Sequence, residues 1–362
     1  MHMDIESRME LIKQVGEEIV TEEELRHVLE TKSRPVTYDG FEPSGKIHIA
    51  QGIVRAINTN KMTKAGVHFK FLVADWHAWA NNKMGGDLEK IQTVGKYFIE
   101  VWKSAGMDLD KVEFVWASDF AKDDNYWKKV MQVARNSTVS RILRCVQIMG
   151  RKESESLHAS QILYPCMQCA DIFHLNADIT QLGMDQRKVN VLAREIGPKL
   201  GFWKPVIVSN HMLMGLLPPK ASAEKASAVE KAIEMKMSKS IPDSGIFMMD
   251  SAEEVRRKIE KAYCPAKTVY ENPLAEYMRY IIFEKFPTVR IERSAKFGGD
   301  LELASYAEFA RIYEEGKIHP ADLKQTVAKS LNEILDPVRR HFQTNSRARE
   351  LEEFVRKQDI TR

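Results

Sequence analysis

Tyr164, Gln168 and Asp171 follow one another at i, i+4 and i+7. At about 100° per residue they fall within roughly 60° of each other on one helix face. A phenol, an amide and a carboxylate on one stripe suit a polar pocket, and they equally suit a partly exposed polar face. The segment Tyr38-Asp-Gly-Phe-Glu-Pro-Ser-Gly-Lys-Ile-His48-Ile-Ala-Gln51 runs from strand to turn to helix start. Backbone N–H groups at a helix start attract anions, and Gly40 and Gly45 let the backbone approach a nucleotide closely. An ordinary βα turn is the competing reading. Far downstream, Lys236-Met-Ser-Lys-Ser240 precedes a Pro-Asp-Ser-Gly turn. Two lysines on a loop can neutralise charge on transferring phosphates, although alone they read as a solvated loop. Together, the two segments point to phosphoryl chemistry.

The elements that must position these residues are legible as apolar runs. Short strands are predicted at 36–41, 68–75, 112–116, 178–182 and 205–209, alternating with helices. That alternation implies an α/β fold with a doubly wound parallel sheet, whose ligands sit at the carboxyl ends of the strands. Residues 1–35 read as an N-terminal helical segment. Residues 36–235 form the α/β domain, with a helical insertion at about 122–160 carrying Arg135, Arg141, Arg144, Arg151 and Lys152. Pro165 reads as the start of the helix that bears Tyr164. The Ala/Glu/Lys-rich stretch 220–235 reads as an exposed helix or linker. The lysine loop and linker occupy 236–250, a second, α-helical domain 251–342, and a charged tail 343–362 with one amphipathic turn near Leu351 and Val355.

Composition narrows the class. The chain has 362 residues, 44% of them apolar and 29% charged, which suits a globular protein of more than one domain. A net charge of +3 permits a basic face without demanding a nucleic-acid partner. Cys166 and Cys169 form a C-x-x-C, but neither Cys145 nor Cys264 supplies a second pair, so no metal site is expected. The start of the chain shows no signal or transit pattern, and no apolar run approaches a membrane span. A cytoplasmic protein is expected.

The two segments resemble the HIGH and KMSKS signatures of class I aminoacyl-tRNA synthetases. The runs GFEPSGKIHIA, YPCMQCADIF, GMDQRKVNVLARE, KIEKAYCPA, KFGGD and IHPADLK are similar to tyrosyl-tRNA synthetases of the archaeal and eukaryotic type, over about residues 10 to 342. The resemblance implies a Rossmann-like catalytic domain with a helical insertion, followed by an α-helical anticodon-binding domain. It implies activation of tyrosine with ATP, accompanied by Mg²⁺ and with no tightly bound cofactor, and charging of tRNA(Tyr). It also implies a homodimer in which one tRNA spans both subunits, with the basic insertion against the acceptor stem or the second subunit.

By the same resemblance, Tyr38 and Asp171 would bond the phenol hydroxyl of tyrosine. Tyr164, Gln168 and Gln186 would hold its ammonium group, and His77 would line the pocket floor. Gly40, Gly45 and Asp185 would meet ATP, with Asp185 on the ribose. His48, Lys236 and Lys239 would bind the phosphates and stabilise the transition state. Phe297, His319 and Asp322 match the positions that read the anticodon. The first signature departs from the pattern, because Gln51 stands where a second histidine is usual. Glutamine donates a hydrogen bond but carries no charge. A tryptophan enzyme would share both signatures, but an indole has no hydroxyl for Tyr38 and Asp171 to read. A general nucleotide transferase would not need Phe297, His319 and Asp322. A non-catalytic descendant would not need intact Lys236, Lys239, Asp185 and Gln186.

Overall fold

Among the described residues, six strands form one sheet: β1 Gly16–Val20, β2 Val36–Phe41, β3 His68–Val73, β4 Val112–Trp116, β5 Ile179–Gly183 and β6 Val206–Asn210. Their order is β1-β6-β5-β2-β3-β4. The computed structural model describes residues 3–150, 156–219, 228–239 and 241–358. Residues 220–227 of the Ala/Glu/Lys stretch, Ser240, and Arg151 and Lys152 of the insertion lie outside the described residues.

The apolar run of β3 is buried because both faces of the sheet are covered. Phe69, Phe71 and Val73 face one core with Phe41, and Leu72 faces the other with Tyr38 and Leu182. β2 through β6 pair in parallel. β2 is the switch strand, flanked by β3 and β5. Its pairing with β5 ends at Tyr38 and Thr180. Beyond that point the two strands part, opening a crevice at their carboxyl ends, where ligands bind in such sheets.

The turn after β2 passes through Gly45 at φ +80°, a left-handed conformation that glycine tolerates. His48 then pairs with Phe247, and the peptides of Ile47 and Ile49 bond Met248 and Ile246 at 2.9 Å each. A π-helical turn, Ala50–Val54, leads into the helix Arg55–Lys64. Wider turns of this kind gather at functional sites. The stretch just after the lysine loop thus abuts the turn at His48 through backbone contacts made about 200 residues apart in sequence.

Three expectations need correction. Residues 1–35 are not wholly helical, since β1 pairs antiparallel with β6. Glu17 and Glu18 interrupt its apolar alternation, and both are held by partners distant in sequence, His211 and Arg187. The stretch 251–342 is likewise not all helix. It contains a hairpin, β7 Val289–Ile291 and β8 Leu301–Leu303, whose strands are too short to show a period. Pro165 lies inside the helix Ala159–His174, not at its start. It has no N–H to give Gln161, and the helix continues because burial of Cys166 to Phe173 holds it. The charged tail forms a helix, Ser346–Arg356, that buries Ala348 and Val355. No helix among the described residues is long and apolar enough to cross a membrane.

His211 ties β1 and the end of β6 to the C-terminal helices. Its Nδ1 lies 3.1 Å from Glu17 and its Nε2 3.0 Å from Glu276, the latter off the hydrogen-bonding direction. The ring stacks on Tyr280 at 4.3 Å. Burial disfavours the charged ring, but the two carboxylates outweigh it and push its pKa from 6.5 up to about 9. The folded state therefore holds the proton more tightly than the unfolded chain. The resulting stabilisation is complete below the unfolded value and fades as pH rises through about 9. His211→Gln is expected to cost on the order of 2 kcal/mol near neutral pH and much less in alkali. Thermal melts of both proteins across pH test this. A deficit independent of pH would mean that the folded protein does not hold His211 charged.

Candidate active site

The helix Ala159–His174 lays Tyr164, Gln168 and Asp171 along one buried stripe under the crevice. Asp171 is fully buried and organises one end of the pocket. The Tyr126 hydroxyl donates to its Oδ1 at 3.0 Å. His77 Nε2 lies 2.8 Å from Oδ2, an ion pair by distance whose angle departs from that of a hydrogen bond. Burial alone would pull His77 down, but Asp171 reverses this and the net pKa is raised. Tyr38 lies on the same side, its phenol pushed well up by burial and then by Asp171. A Cβ at Gly40 would come within 3.2 Å of the Tyr38 hydroxyl, so glycine there keeps room for it. The Tyr164 ring meets the His77 ring edge-on at 5.2 Å. Gln168 donates to Gln186 at 3.0 Å, and Gln186 donates to the Ile148 carbonyl at 3.1 Å. The stripe, the end of β2 and the turn after β5 therefore meet as anticipated.

The other half of the crevice carries the cations. Lys236 Nζ bonds Asp185 Oδ2 at 3.0 Å. Burial opposes ionisation of Asp185, but Lys236 outweighs it and lowers the pKa. Lys239 Nζ donates to the Ser44 carbonyl and hydroxyl at 3.0 and 3.1 Å, in the turn next to Gly45. Burial and then Lys83 bring Lys239 down to about 7. His48 is pulled well down by burial, then by Lys239 and Lys236. It is a neutral ring near pH 7. Its Nδ1 makes a long contact of 3.4 Å with the Gln51 N–H, which leaves Nε2 as the donor. The Trp102 indole bonds the Gln51 carbonyl at 2.8 Å and anchors this turn. The Gln51 side-chain oxygen is itself buried.

One end of the crevice thus gathers Asp171, Tyr38, Tyr126 and His77, and the other gathers His48, Lys236 and Lys239. The family described as tRNA synthetases class I (W and Y) matches residues 30–336. The chain belongs to this family. Among relatives, this class I synthetase is 52% identical over 365 residues to tyrosine–tRNA ligase 1, cytoplasmic, of Arabidopsis thaliana, covering 100% of this chain and 91% of that one. The tyrosyl-tRNA synthetase of Pyrococcus horikoshii, solved complexed with L-tyrosine, is 41% identical with a TM-score of 0.89, covering 97% of this chain and 100% of that one. The Leishmania major tyrosyl-tRNA synthetase, solved with tyrosinol, is 44% identical with a TM-score of 0.87. It covers 98% of this chain, which spans 52% of the Leishmania chain.

Residues that sequence reasoning missed also make contacts at this crevice. Tyr126, on the helix Asp124–Arg135, completes the shell of Asp171. Its signal was the apolar stripe Tyr126, Val130, Val133 at i, i+4, i+7. Glu42, after burial, pushes the Tyr164 phenol up and accepts from Asn81 at 3.0 Å. Arg55 pairs with buried Asp39 at 3.0 Å. Burial pushes Asp39 up to about 6 despite that arginine. No residue spacing in the sequence announces either contact.

The remaining candidates lie in the C-terminal region. Phe297 is 65% exposed on the β7–β8 loop. His319 caps the helix Pro320–Thr344, its Nδ1 accepting from Ala321 N–H at 3.1 Å, and Asp322 follows in the first turn. An open polar groove of about 390 Å³ is lined by Arg290, Glu292, Arg293, Asp300, Asp322 and Gln325. In the insertion, Arg141 is engaged by Glu195 at 2.9 Å, and Arg135 and Arg144 are exposed. Cys145, Cys166 and Cys169 are buried free thiols. Among the described residues, no group of three His, Cys, Asp or Glu side chains is placed to hold a metal.

Proposed function

We propose that this synthetase is a tyrosine–tRNA ligase. It activates tyrosine with ATP to tyrosyl-adenylate and pyrophosphate, then transfers tyrosine to the 3′ end of tRNA(Tyr). The observation that carries this reading is Asp171, a fully buried carboxylate held between Tyr126 and His77 and facing Tyr38. A buried acceptor of this kind suits a ligand that brings a hydroxyl donor, and it leaves a phenyl ring unrewarded. Gln168, Gln186 and Tyr164 then surround the ammonium end of the ligand.

The tyrosine carboxylate attacks the α-phosphorus of ATP, and pyrophosphate leaves. No protein nucleophile is required. Positioning and electrostatic stabilisation supply the rate. Neutral His48 donates through Nε2, Lys236 and Lys239 meet the departing phosphates, Asp185 takes the ribose, and Gly40 and Gly45 admit the nucleotide. Mg²⁺ travels with ATP as part of the substrate. Phe297 stacks on an unpaired anticodon base while His319 and Asp322 read its edge. The protein acts in the cytoplasm as a homodimer. Exposed Met131 and Val139 on the insertion support contact between copies there.

ATP–pyrophosphate exchange with tyrosine, tryptophan and phenylalanine tests the reading. Exchange with tyrosine alone is expected. Exchange driven by tryptophan would reverse the specificity, and silence from folded protein with all three would overturn the activity.

A further inference from the structure

Phe297 and His319 stand on different elements, and an unpaired base can be gripped by both only if those elements keep their spacing. The loop 292–300 between β7 and β8 is short of apolar anchors, and Phe297 itself is exposed. What ties the loop down is polar. The Arg293 N–H donates to Asp300 Oδ1 at 2.9 Å, closing the loop across its base. The Arg293 Nε donates to the Gly299 carbonyl at 2.8 Å, and its Nη1 donates to the Lys317 carbonyl. Gly299 lies two residues after Phe297, and Lys317 lies two residues before His319. Gly298 and Gly299 take φ of +95° and +71°, which turns the Gly299 carbonyl inward for this contact. Arg290 has its own partner, bonding Asp300 at 2.5 and 3.0 Å.

We propose that Arg293 is a positioning residue for tRNA recognition: its planar fork fastens the loop bearing Phe297 to the turn bearing His319, so that the two meet one base in register. This rests on the anticodon reading given above. The alternative for an arginine at this place is direct contact with a phosphate of the RNA. The two differ in kind. A fork holding two carbonyls from different segments needs guanidinium geometry, and lysine cannot reproduce it. A phosphate contact needs chiefly charge, and lysine largely preserves it.

The test is tyrosylation by the full chain, reading KM for tRNA(Tyr) in Arg293→Lys, Arg293→Gln, Phe297→Ala and the Arg293→Lys/Phe297→Ala double variant. Arg293→Lys is expected to raise KM about tenfold with kcat little changed, although the charge is kept. The double variant is expected to match Phe297→Ala within about twofold, because the arginine acts through the ring. The slope of log KM against log salt in Arg293→Gln is expected to match the parent. A wild-type KM in Arg293→Lys, additive effects, or a slope reduced by roughly one would overturn the proposal, the last in favour of a phosphate contact. A normal KM in Phe297→Ala would instead sink the anticodon reading beneath it. Asp300→Asn loosens the same loop, at its bonds to the Arg293 N–H and to Arg290, and leaves the Arg293 guanidinium with its two carbonyls. It is expected to raise KM in the same non-additive way, so the proposal remains open to refutation if an Arg293 variant folds poorly.

Discussion

Asp171→Asn is expected to reduce kcat/KM for tyrosine in pyrophosphate exchange by about 10²–10³-fold, with KM for ATP changed by less than about threefold. The substitution keeps shape and removes charge. Tyr126 donates to Oδ1, and His77 sits against Oδ2, so one of these partners would face an amide NH₂ group. His77 would also lose the carboxylate that keeps its pKa raised, leaving burial alone to pull it down. The pocket would thus lose one of its two acceptor oxygens and the charge organised around them. Breaking a buried ionic contact costs about 3–5 kcal/mol, which sets the size of the effect. The preference for tyrosine over phenylalanine should fall with it, because the asparagine site rewards the hydroxyl less. Equal losses in tyrosine and ATP parameters would make Asp171 a scaffold residue and remove it from the hydroxyl contact.

The second large effect is expected at the lysine loop. Lys236→Ala and Lys239→Ala should each lower kcat for exchange about 10²–10³-fold while leaving KM for tyrosine within about twofold. In the free protein both ammonium groups are engaged, Lys236 by Asp185 and Lys239 by Ser44. A nucleotide must exchange those partners for its own groups. On the proposed reading, part of the binding gain would offset those lost contacts, and the lysines would act mainly where charge builds on the phosphates. Removing Lys236 also frees Asp185 for the ribose, which offsets any loss of ATP affinity. A rise in KM for ATP with unchanged kcat would place both lysines in ground-state binding.

The central strands were legible because burial on both faces leaves runs such as His68–Val73 almost without polar residues. The stripe Tyr164, Gln168, Asp171 was legible because helical spacing alone brings those side chains together. β1 was hidden by Glu17 and Glu18, whose neutralising partners are far away in the chain. β7 and β8 were hidden by their length. Tyr126, Glu42 and Arg55 escaped notice for a related reason, since each matters through a partner on another element. Local pattern reports what an element buries. It does not report which buried hydroxyl or carboxylate will be met across a pocket. The roles proposed for Gln186 and Asp185 came from resemblance, and no local spacing announces that the turn after β5 carries both residues beside Gln168 and Lys236.

β1 has one more consequence. Without it, β6 would end the sheet as a row of unsatisfied amides and carbonyls backed by buried Val206, Ile207 and Val208, a surface on which a stray strand could grow. The five residues of β1 saturate that row with a short ribbon whose two glutamates are already held by His211 and Arg187. The N-terminal segment thus acts as a guard against templated aggregation, most needed while the chain is newly made and its sheet is still assembling.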